Sequence, residues 1–372
     1  MSDLTKIKIW KILSAANHFW VVTLVLYFQF RGLTLVQALQ VISIYSILVV
    51  VLEYPTGVIG DYFSHRTSVL LGNIVVIVAF ALLSFPGSFA YYVFLFFLFA
   101  LGMALVSGSD TALLHSLSKD FKKDLAQTTP YALILSVITI SIGSLAAAYD
   151  MRYPIYLSFL FSLLALPLVI FLKDYQYQRE EGNIFSTAFR GIKDITSNSR
   201  LKNLIIVSSV FGAFFLSIKW FYNPLFEKIN IPVTFWGLIT SGAFLLIAVG
   251  VQLYRKKDSF GLAATSLLTL AAIFLIGVTS YWLVPLFGIW LMHILRGYQD
   301  TLLGVEMNEA ITTNRRASIL SFDSLLTRLG SAIYIAGAGL LLPKTSFLVL
   351  MLITILFVGS LISIPLIKLN KK

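Results

Sequence analysis

The run EYPTGVIGDYFSHR, Glu53 to Arg66, sets a carboxylate, a proline, two glycines, an aspartate and an arginine close together in an otherwise apolar chain. Glu53 and Asp61 are eight positions apart, so on one continuous helix they share a face two turns apart. Pro55, Gly57 and Gly60 permit a kink and close helix approach there. One reading is a solvated turn between two helices. The other is a polar latch at the end of a membrane span, and the surrounding sequence decides between them.

That sequence is hydrophobic over 58% of its 372 residues, charged over only 12%, and has a mean hydropathy of +0.88. Soluble domains carry about 25% charged residues. The chain therefore reads as a membrane protein. Apolar runs of about 20 residues, enough to cross roughly 30 Å of hydrocarbon as helix, recur twelve times, at 9–30, 34–58, 67–86, 89–112, 127–148, 154–172, 203–223, 233–253, 260–280, 282–303, 317–341 and 346–367. The first lacks a small-residue cleavage site, so it reads as a span and not as a secretory signal. The residue alternation of a β-barrel is absent. An all-α membrane protein of twelve helices is expected.

With both termini placed inside, 21 of the 28 Lys and Arg fall on cytoplasmic segments, four (Arg31, Arg152, Lys228, Lys344) fall outside, and Lys219, Arg296 and Arg328 lie within spans. Short cytoplasmic loops retain basic residues, which predicts a bacterial inner-membrane protein with both termini cytoplasmic. The net charge of +11 is accounted for by a basic face on anionic lipid and calls for no nucleic acid. The absence of cysteine excludes disulfides and thiolate chemistry.

The polar segment from Lys173 to Asn203 divides the spans six and six. The expected organisation is a bundle over 1–172, a cytoplasmic linker over 173–202 and a second bundle over 203–372. Within the linker Ile184, Phe185, Phe189, Ile192 and Ile195 recur at helical spacing, as in a helix lying on a membrane surface. The halves also resemble each other. SGSDTALL (Ser107 to Leu114) parallels RGYQDTLL (Arg296 to Leu303), and the same offset of about half the chain relates Gly108 to Gly297 and Gly60 to Gly250. Internal repeats of this kind are common in transporters.

GVIGDYFSHR resembles the loop between helices 2 and 3 of the major facilitator superfamily, roughly G-x-x-x-D-[RK]-x-G-[RK]-[RK]. Gly57, Asp61 and Arg66 match, while Tyr62, Ser64 and His65 depart and weaken the cationic part. Glu53, Pro55, Thr56 and Gly57 resemble the E-x-P-T-G run of a bacterial branch rich in drug-efflux members, and SGSDTALLHSL at span 4, KWFYNPLF at span 7 and RGYQDTLLGVEMNEAITTNRRASILS across spans 10 and 11 also look like that branch. The second-half loop YRKKDSFG lacks the corresponding aspartate. Of the glycine-proline motif found in helix 5 of many antiporters, only Gly143 remains. The resemblance implies a monomeric secondary transporter of two pseudo-symmetric six-helix bundles. In it Asp61 accepts hydrogen bonds from the amino end of helix 11 near Ala317 and Ser318, which steadies an outward-open state.

Ionisable groups at bilayer depth are costly and face a cavity or a partner. His293, Arg296 and Asp300 form one stripe on span 10. Arg328 lies deep in span 11, with Glu53, Asp110, Asp300 and Asp323 as candidate partners. Asn17 and His18 sit a third of the way into span 1, where a packed histidine and a functional one are equally consistent. Lys219, Trp220, Tyr222 and Asn223 close span 7 on its outer side, as an interface aromatic belt or as a substrate contact. Candidates for a substrate or proton site are His18, Asp110, His293, Arg296, Asp300, Asp323 and Arg328. The gate candidates are Glu53, Pro55, Gly57, Gly60, Asp61 and Arg66. A proton is allowed as coupling ion, although no carboxylate falls at the midplane.

No phosphate-cradling loop and no H-E-x-x-H occurs, so no enzyme, cofactor or metal is expected. Proton-coupled efflux of amphiphilic, drug-like molecules is the leading expectation. The alternatives are uptake or facilitated diffusion of one polar or anionic solute, and a non-transporting receptor or scaffold. Expected partners are a small-molecule substrate and membrane lipids.

Overall fold

The computed structural model describes residues 1–62, 64–173, 195–256, 260–311 and 316–370, and gives no side-chain description for 54, 55, 57–62, 316–318 and 370. The described residues are helical throughout, without a strand. Among the described residues nine helical stretches are long and apolar enough to cross a bilayer, with two shorter apolar helices at Val21–Phe30 and Leu262–Gly277. The nine coincide with expected spans 2 to 8, 11 and 12. Span 1 is interrupted, span 9 is short, and span 10 is full length (Leu283–Ala310) but carries the charged stripe.

Contacts group the chain into two compact units, Met1–Glu180 with Pro232–Ser241, and Glu181–Ile231 with Gly242–Lys372. Large apolar side chains such as Leu164, Leu267, Ile333 and Leu356 point outward in both. Lipid, as apolar as these side chains, leaves them at no disadvantage there.

In the first unit the helices are α1 (Asp3–Ala15), α2 (Leu24–Phe30), α3 (Leu35–Tyr62), α4 (His65–Leu83), α5 (Phe89–Val106), α6 (Ser109–Leu117), α7 (Phe121–Tyr149) and α8 (Tyr153–Ile170). Ser2, Ser64, Ser88 and Asp120 cap the amino ends of α1, α4, α5 and α7 by accepting a backbone N–H, as short oxygen-bearing side chains do. Ile7 and Trp10 of α1, Val69 of α4, Leu113 and Leu114 of α6, and Ala165 and Val169 of α8 close one end of this unit. At the other end, in the α7–α8 connection, Asp150 accepts hydrogen bonds from the Arg152 side chain and backbone. These hold its carboxyl down at about 2.

The second unit contains α9 (Ser199–Ile218), α10 (Tyr222–Lys228), the larger part of α11 (Val233–Lys256), α12 (Leu262–Gly277), α13 (Leu283–Ala310), α14 (Arg316–Leu341) and α15 (Phe347–Asn370). Its packing repeats that of the first. Where α1 packs on α7 and α8, α9 packs on α14 and α15, and where α4 packs on α5 and α8, α12 packs on α13 and α15. The repeat seen in sequence is thus a repeat of helix contacts. It is not exact at the glycines. A Cβ on Gly250 would sit 1.9 Å from the Ile294 carbonyl oxygen and one on Gly297 2.0 Å from that of Ile247, so both let α11 and α13 cross backbone to backbone. Gly108 instead has φ +78 and open space around it, and ends α5 where α13 runs straight through Gly297. Positive φ is what a residue without Cβ adopts at no steric cost.

Helix 1 is the least regular element. It stops at Ala15, passes Asn17 and His18 without helical structure, and resumes through a tight 3-10 turn at Val21–Thr23. A freed carbonyl in hydrocarbon needs a partner. The Thr139 hydroxyl donates to Ala16 O (2.6 Å), and the Asn17 amide donates to Ser158 O (3.0 Å) and Ser162 Oγ (2.7 Å). The break lies directly on α7, for a Cβ at Gly143 would be 1.9 Å from Phe19 O. Gly143→Ala should therefore destabilise the folded protein by about 1–3 kcal/mol, the usual range for overpacking. Gly337→Ala, with nothing within 4 Å, should not. Thermal unfolding of both variants in detergent checks this, and equal melting temperatures would contradict it.

Candidate functional site

Each unit places ionisable groups within membrane-spanning helices, but they are satisfied differently. In the first unit most of them are paired internally. Lys11 of α1 donates to Asp110 and to the Thr111 hydroxyl (3.1 Å) of α6. One turn earlier, Lys8 bonds Asp124 (2.8 Å) and Gln127 (2.8 Å) of α7, and Asp124 also accepts from Ser118 (2.5 Å). Asp110 is thus held by a lysine of its own unit. Glu53, exposed, accepts from Ser107 (3.0 Å) at the end of α5. His18 lies 3.2 Å from Ser136 of α7 through Nδ1. Arg66 donates to Ile170 O (2.7 Å).

The backbone of α3 continues through Tyr62, so Glu53 and Asp61 do lie on one helix. The side chains of Pro55, Gly57, Gly60 and Asp61, and Ala317 and Ser318 of the implied latch, fall outside the described side chains, as does the linker over 174–194. Beside helix 1, Trp20 stacks on Phe99 (5.6 Å, 15°) and meets Phe80 and Phe96 edge-on. Two apolar rings and a planar pair at these separations add stabilisation beyond their buried area.

In the second unit the pairing is incomplete. Phe211, Phe215 and Lys219 recur every fourth residue along one face of α9 and the 3-10 turn that continues it (Lys219–Phe221), both part of helix 7 of the bundle, and His293, Arg296 and Asp300 along one face of α13. The faces meet, since the Arg296 guanidinium lies 5.6 Å from the centre of the Phe215 ring. Arg296 also pairs with Asp300 (3.4 Å) on its own helix. His293, 3% exposed, lies against Tyr222 and Phe244, its Nδ1 2.9 Å from the Ile289 carbonyl. Asp323 of α14 accepts from Ser208 (3.0 Å) and Ser209 (2.9 Å) of α9. Further along, Thr327 packs on Gly212, Gly330 on Ala213, and Ser331 bonds Ser217 (2.8 Å).

Arg328 follows Thr327 on α14, half-buried, with no ion pair among the described residues. Of its candidate carboxylates, the two in the same unit, Asp300 and Asp323, are engaged by Arg296 and by Ser208 and Ser209 instead. Lys219 is likewise without a carboxylate partner there and lies 4.7 Å from the Trp220 ring centre.

Lys219 is the site residue that sequence reading set at the wrong depth. Span 7 does not end at 223. It turns through a 3-10 segment, Lys219–Phe221, and continues as α10 to Lys228. Nine residues of helix place Lys219 about 13 Å inside that end, one turn beyond the Phe215 ring on which Arg296 rests. Tyr222, read from the sequence together with Lys219 as belt or substrate contact, is 2% exposed with a hydroxyl that has no hydrogen-bond partner among the described residues.

This arrangement defines an all-α polytopic membrane protein with the major facilitator fold. The chain superposes on the nucleoside transporter NupG with a TM-score of 0.81 and 14% identity, over 98% of each chain. A POT family transporter solved in complex with 5-aminolevulinic acid gives 0.74 and 15%, over 99% of this chain and 96% of that one. A bacterial homolog of the human lysosomal transporter Spinster, inward-facing and unoccupied, gives 0.71 and 11%, over 98% and 94%. No known family profile and no curated protein matches the sequence.

The Lys11–Asp110 pair yields a direct test. Both side chains are 18% exposed, and a hydrogen bond to a charged group is worth about 1.5–3 kcal/mol. Asp110→Asn should lower stability by roughly that amount, because it strands the lysine. The double variant Lys11→Met/Asp110→Leu should recover most of it. Thermal melts of the three proteins report the outcome, and an Asp110→Asn protein as stable as the parent would contradict the pairing.

Proposed function

We propose that the chain is a secondary transporter that moves a small molecule across the membrane by alternating access. The observation that supports this best is the pair of interrupted helices, helix 1 at 16–23 and helix 7 at 219–221, in corresponding positions of the two repeats. Interrupted spans in matching places of a repeated fold are where carriers hold substrate and coupling ion. Both interruptions carry polar side chains, Asn17 and His18 in one and Lys219 in the other. The fold shared with nucleoside and peptide-type carriers agrees with this reading.

For the coupling ion we propose a proton taken up at Asp323. Its carboxylate is held by two serine hydroxyls and makes no ion pair among the described residues, so it can be neutralised without stranding a buried charge. Efflux of an amphiphilic compound is the second reading, and the Glu53–Gly57 run favours it. Both termini are placed on the cytoplasmic side of a bacterial inner membrane, on the strength of the basic-residue distribution.

Purified protein in proteoliposomes should accumulate its solute when a pH gradient is imposed. Asp323→Asn should retain exchange but lose gradient-driven accumulation. Accumulation unaffected by Asp323→Asn would remove that residue from coupling, and no flux under any condition would refute transport. Because the chain has no cysteine, single cysteines at Lys123, Lys256 and Lys344 report orientation cleanly. The first two should label from the cytoplasm and the third from outside, and the opposite pattern would overturn the topology.

A further inference from the structure

The second unit gathers three cations inside its spanning helices. Lys219 comes from the 3-10 turn of helix 7, Arg296 from the middle of α13 and Arg328 from the middle of α14. Phe215, on which the Arg296 guanidinium rests, precedes Lys219 by one helical turn on the same face, and α14, which carries Arg328, packs on α9. In a medium of low dielectric like charges repel strongly, and unbalanced charge at this depth is costly. The balance available locally is small. Asp300 pairs with Arg296, while Asp323 is engaged by Ser208 and Ser209. Neither Lys219 nor Arg328 has a carboxylate within pairing distance among the described residues.

A second, independent feature points the same way. The Tyr222 hydroxyl, on the turn after Lys219 and with its ring centre 6.3 Å from that of His293, one turn before Arg296, is buried without a hydrogen-bond partner among the described residues. Buried hydroxyls are nearly always bonded, and an unbonded one costs free energy. One kind of ligand suits all of these donors: an oxygen-rich anion that takes a charge from Lys219, a forked contact from Arg328 and a hydrogen bond from Tyr222. Arg296, already neutralised by Asp300 and resting on Phe215, stands behind them as a fixed donor. Arginine forks match carboxylate and phosphate oxygens geometrically, whereas lysine supplies a point charge.

We infer that Lys219, Tyr222 and Arg328, backed by Arg296, bind the oxyanion of a small organic anion, and that this anion is the transported molecule. The second part rests on the transport reading above. A cationic amphiphile would meet charges of the wrong sign here, so the site selects against the class that the efflux reading names.

The test uses the full chain in detergent and three probes that share one ring: benzoate, phenyl phosphate and benzylamine. Binding is read by calorimetric titration and by the shift in melting temperature. Benzoate or phenyl phosphate should bind the parent protein and raise its melting temperature, and benzylamine should do neither. Which anion binds more tightly distinguishes a carboxylate from a phosphate site. Lys219→Gln and Arg328→Gln should each weaken the anion by about tenfold or more, as loss of a charged hydrogen bond does. Arg328→Lys should retain part of the affinity and Tyr222→Phe should lose less. Stronger binding of benzylamine, failure of both anions to bind the parent, or unchanged affinity in both glutamine variants would overturn the inference. The comparison of probes on the parent protein stands even where a variant fails to fold. Anion binding through these residues without flux in vesicles would refute the transport reading alone. Flux of a neutral or cationic solute with Lys219 and Arg328 dispensable would refute the anion site alone.

Discussion

Everything in this molecule is conditioned by one requirement: a backbone carbonyl or N–H at bilayer depth must find a partner within the protein. Continuous helix meets that requirement from within the segment, which is why most of the chain is helical. A break in a helix meets it only with help. Helix 1 stops at Ala15 because α7 supplies the help, Thr139 bonding Ala16 O and Gly143 leaving room for the Phe19 backbone to lie against it. Asn17 then anchors the turn to α8 through Ser158 and Ser162. The polar residues of the break are thus held in place by groups on two other helices.

The same economy of partners separates the two units. In the first, lysines of α1 are spent on aspartates of α6 and α7, and the charges near that end are closed among themselves. In the second, hydroxyls and not cations attend Asp323, and Lys219 and Arg328 have no carboxylate partner among the described residues. Uncommitted charge on rigid helices is a resource for binding. Its position along the seam of α9 and α14, which is closed by Gly212, Gly330 and the Ser217–Ser331 contact, fixes the cations to well-packed backbone.

Much of this was legible in the sequence and some was not. Helical class was, because hydrocarbon thickness sets run length whatever the residue order. The Gly60/Gly250 and Gly108/Gly297 spacing disclosed a repeat that reappears as matched helix packing, yet Gly108 ends a helix where Gly297 lets one pass. A two-residue resemblance carries no information on which of these a glycine does. The break in helix 1 was hidden, since ANHFW (Ala16 to Trp20) contains neither glycine nor proline. What permits it lies more than a hundred positions away. Lys219 was seen but set at the rim, because the polar cluster KWFYN mimics an interface belt and conceals the further helix turns beyond it. His293 was singled out by its stripe, and its ring is engaged by its own helix and two aromatic neighbours.

The proposed anion site requires that Lys219, Arg296 and Arg328 of the second unit be reached from water within the membrane and not face lipid. The chain's lack of cysteine allows that to be read residue by residue, with single cysteines at Lys219, Arg296 and Arg328 and, for comparison, at the outward-pointing Leu267 and Leu356, each challenged in vesicles with a charged, membrane-impermeant thiol reagent. The account predicts modification at 219, 296 and 328 and none at 267 and 356. Protection of all three charged positions, or equal reactivity at the two leucines, would contradict it.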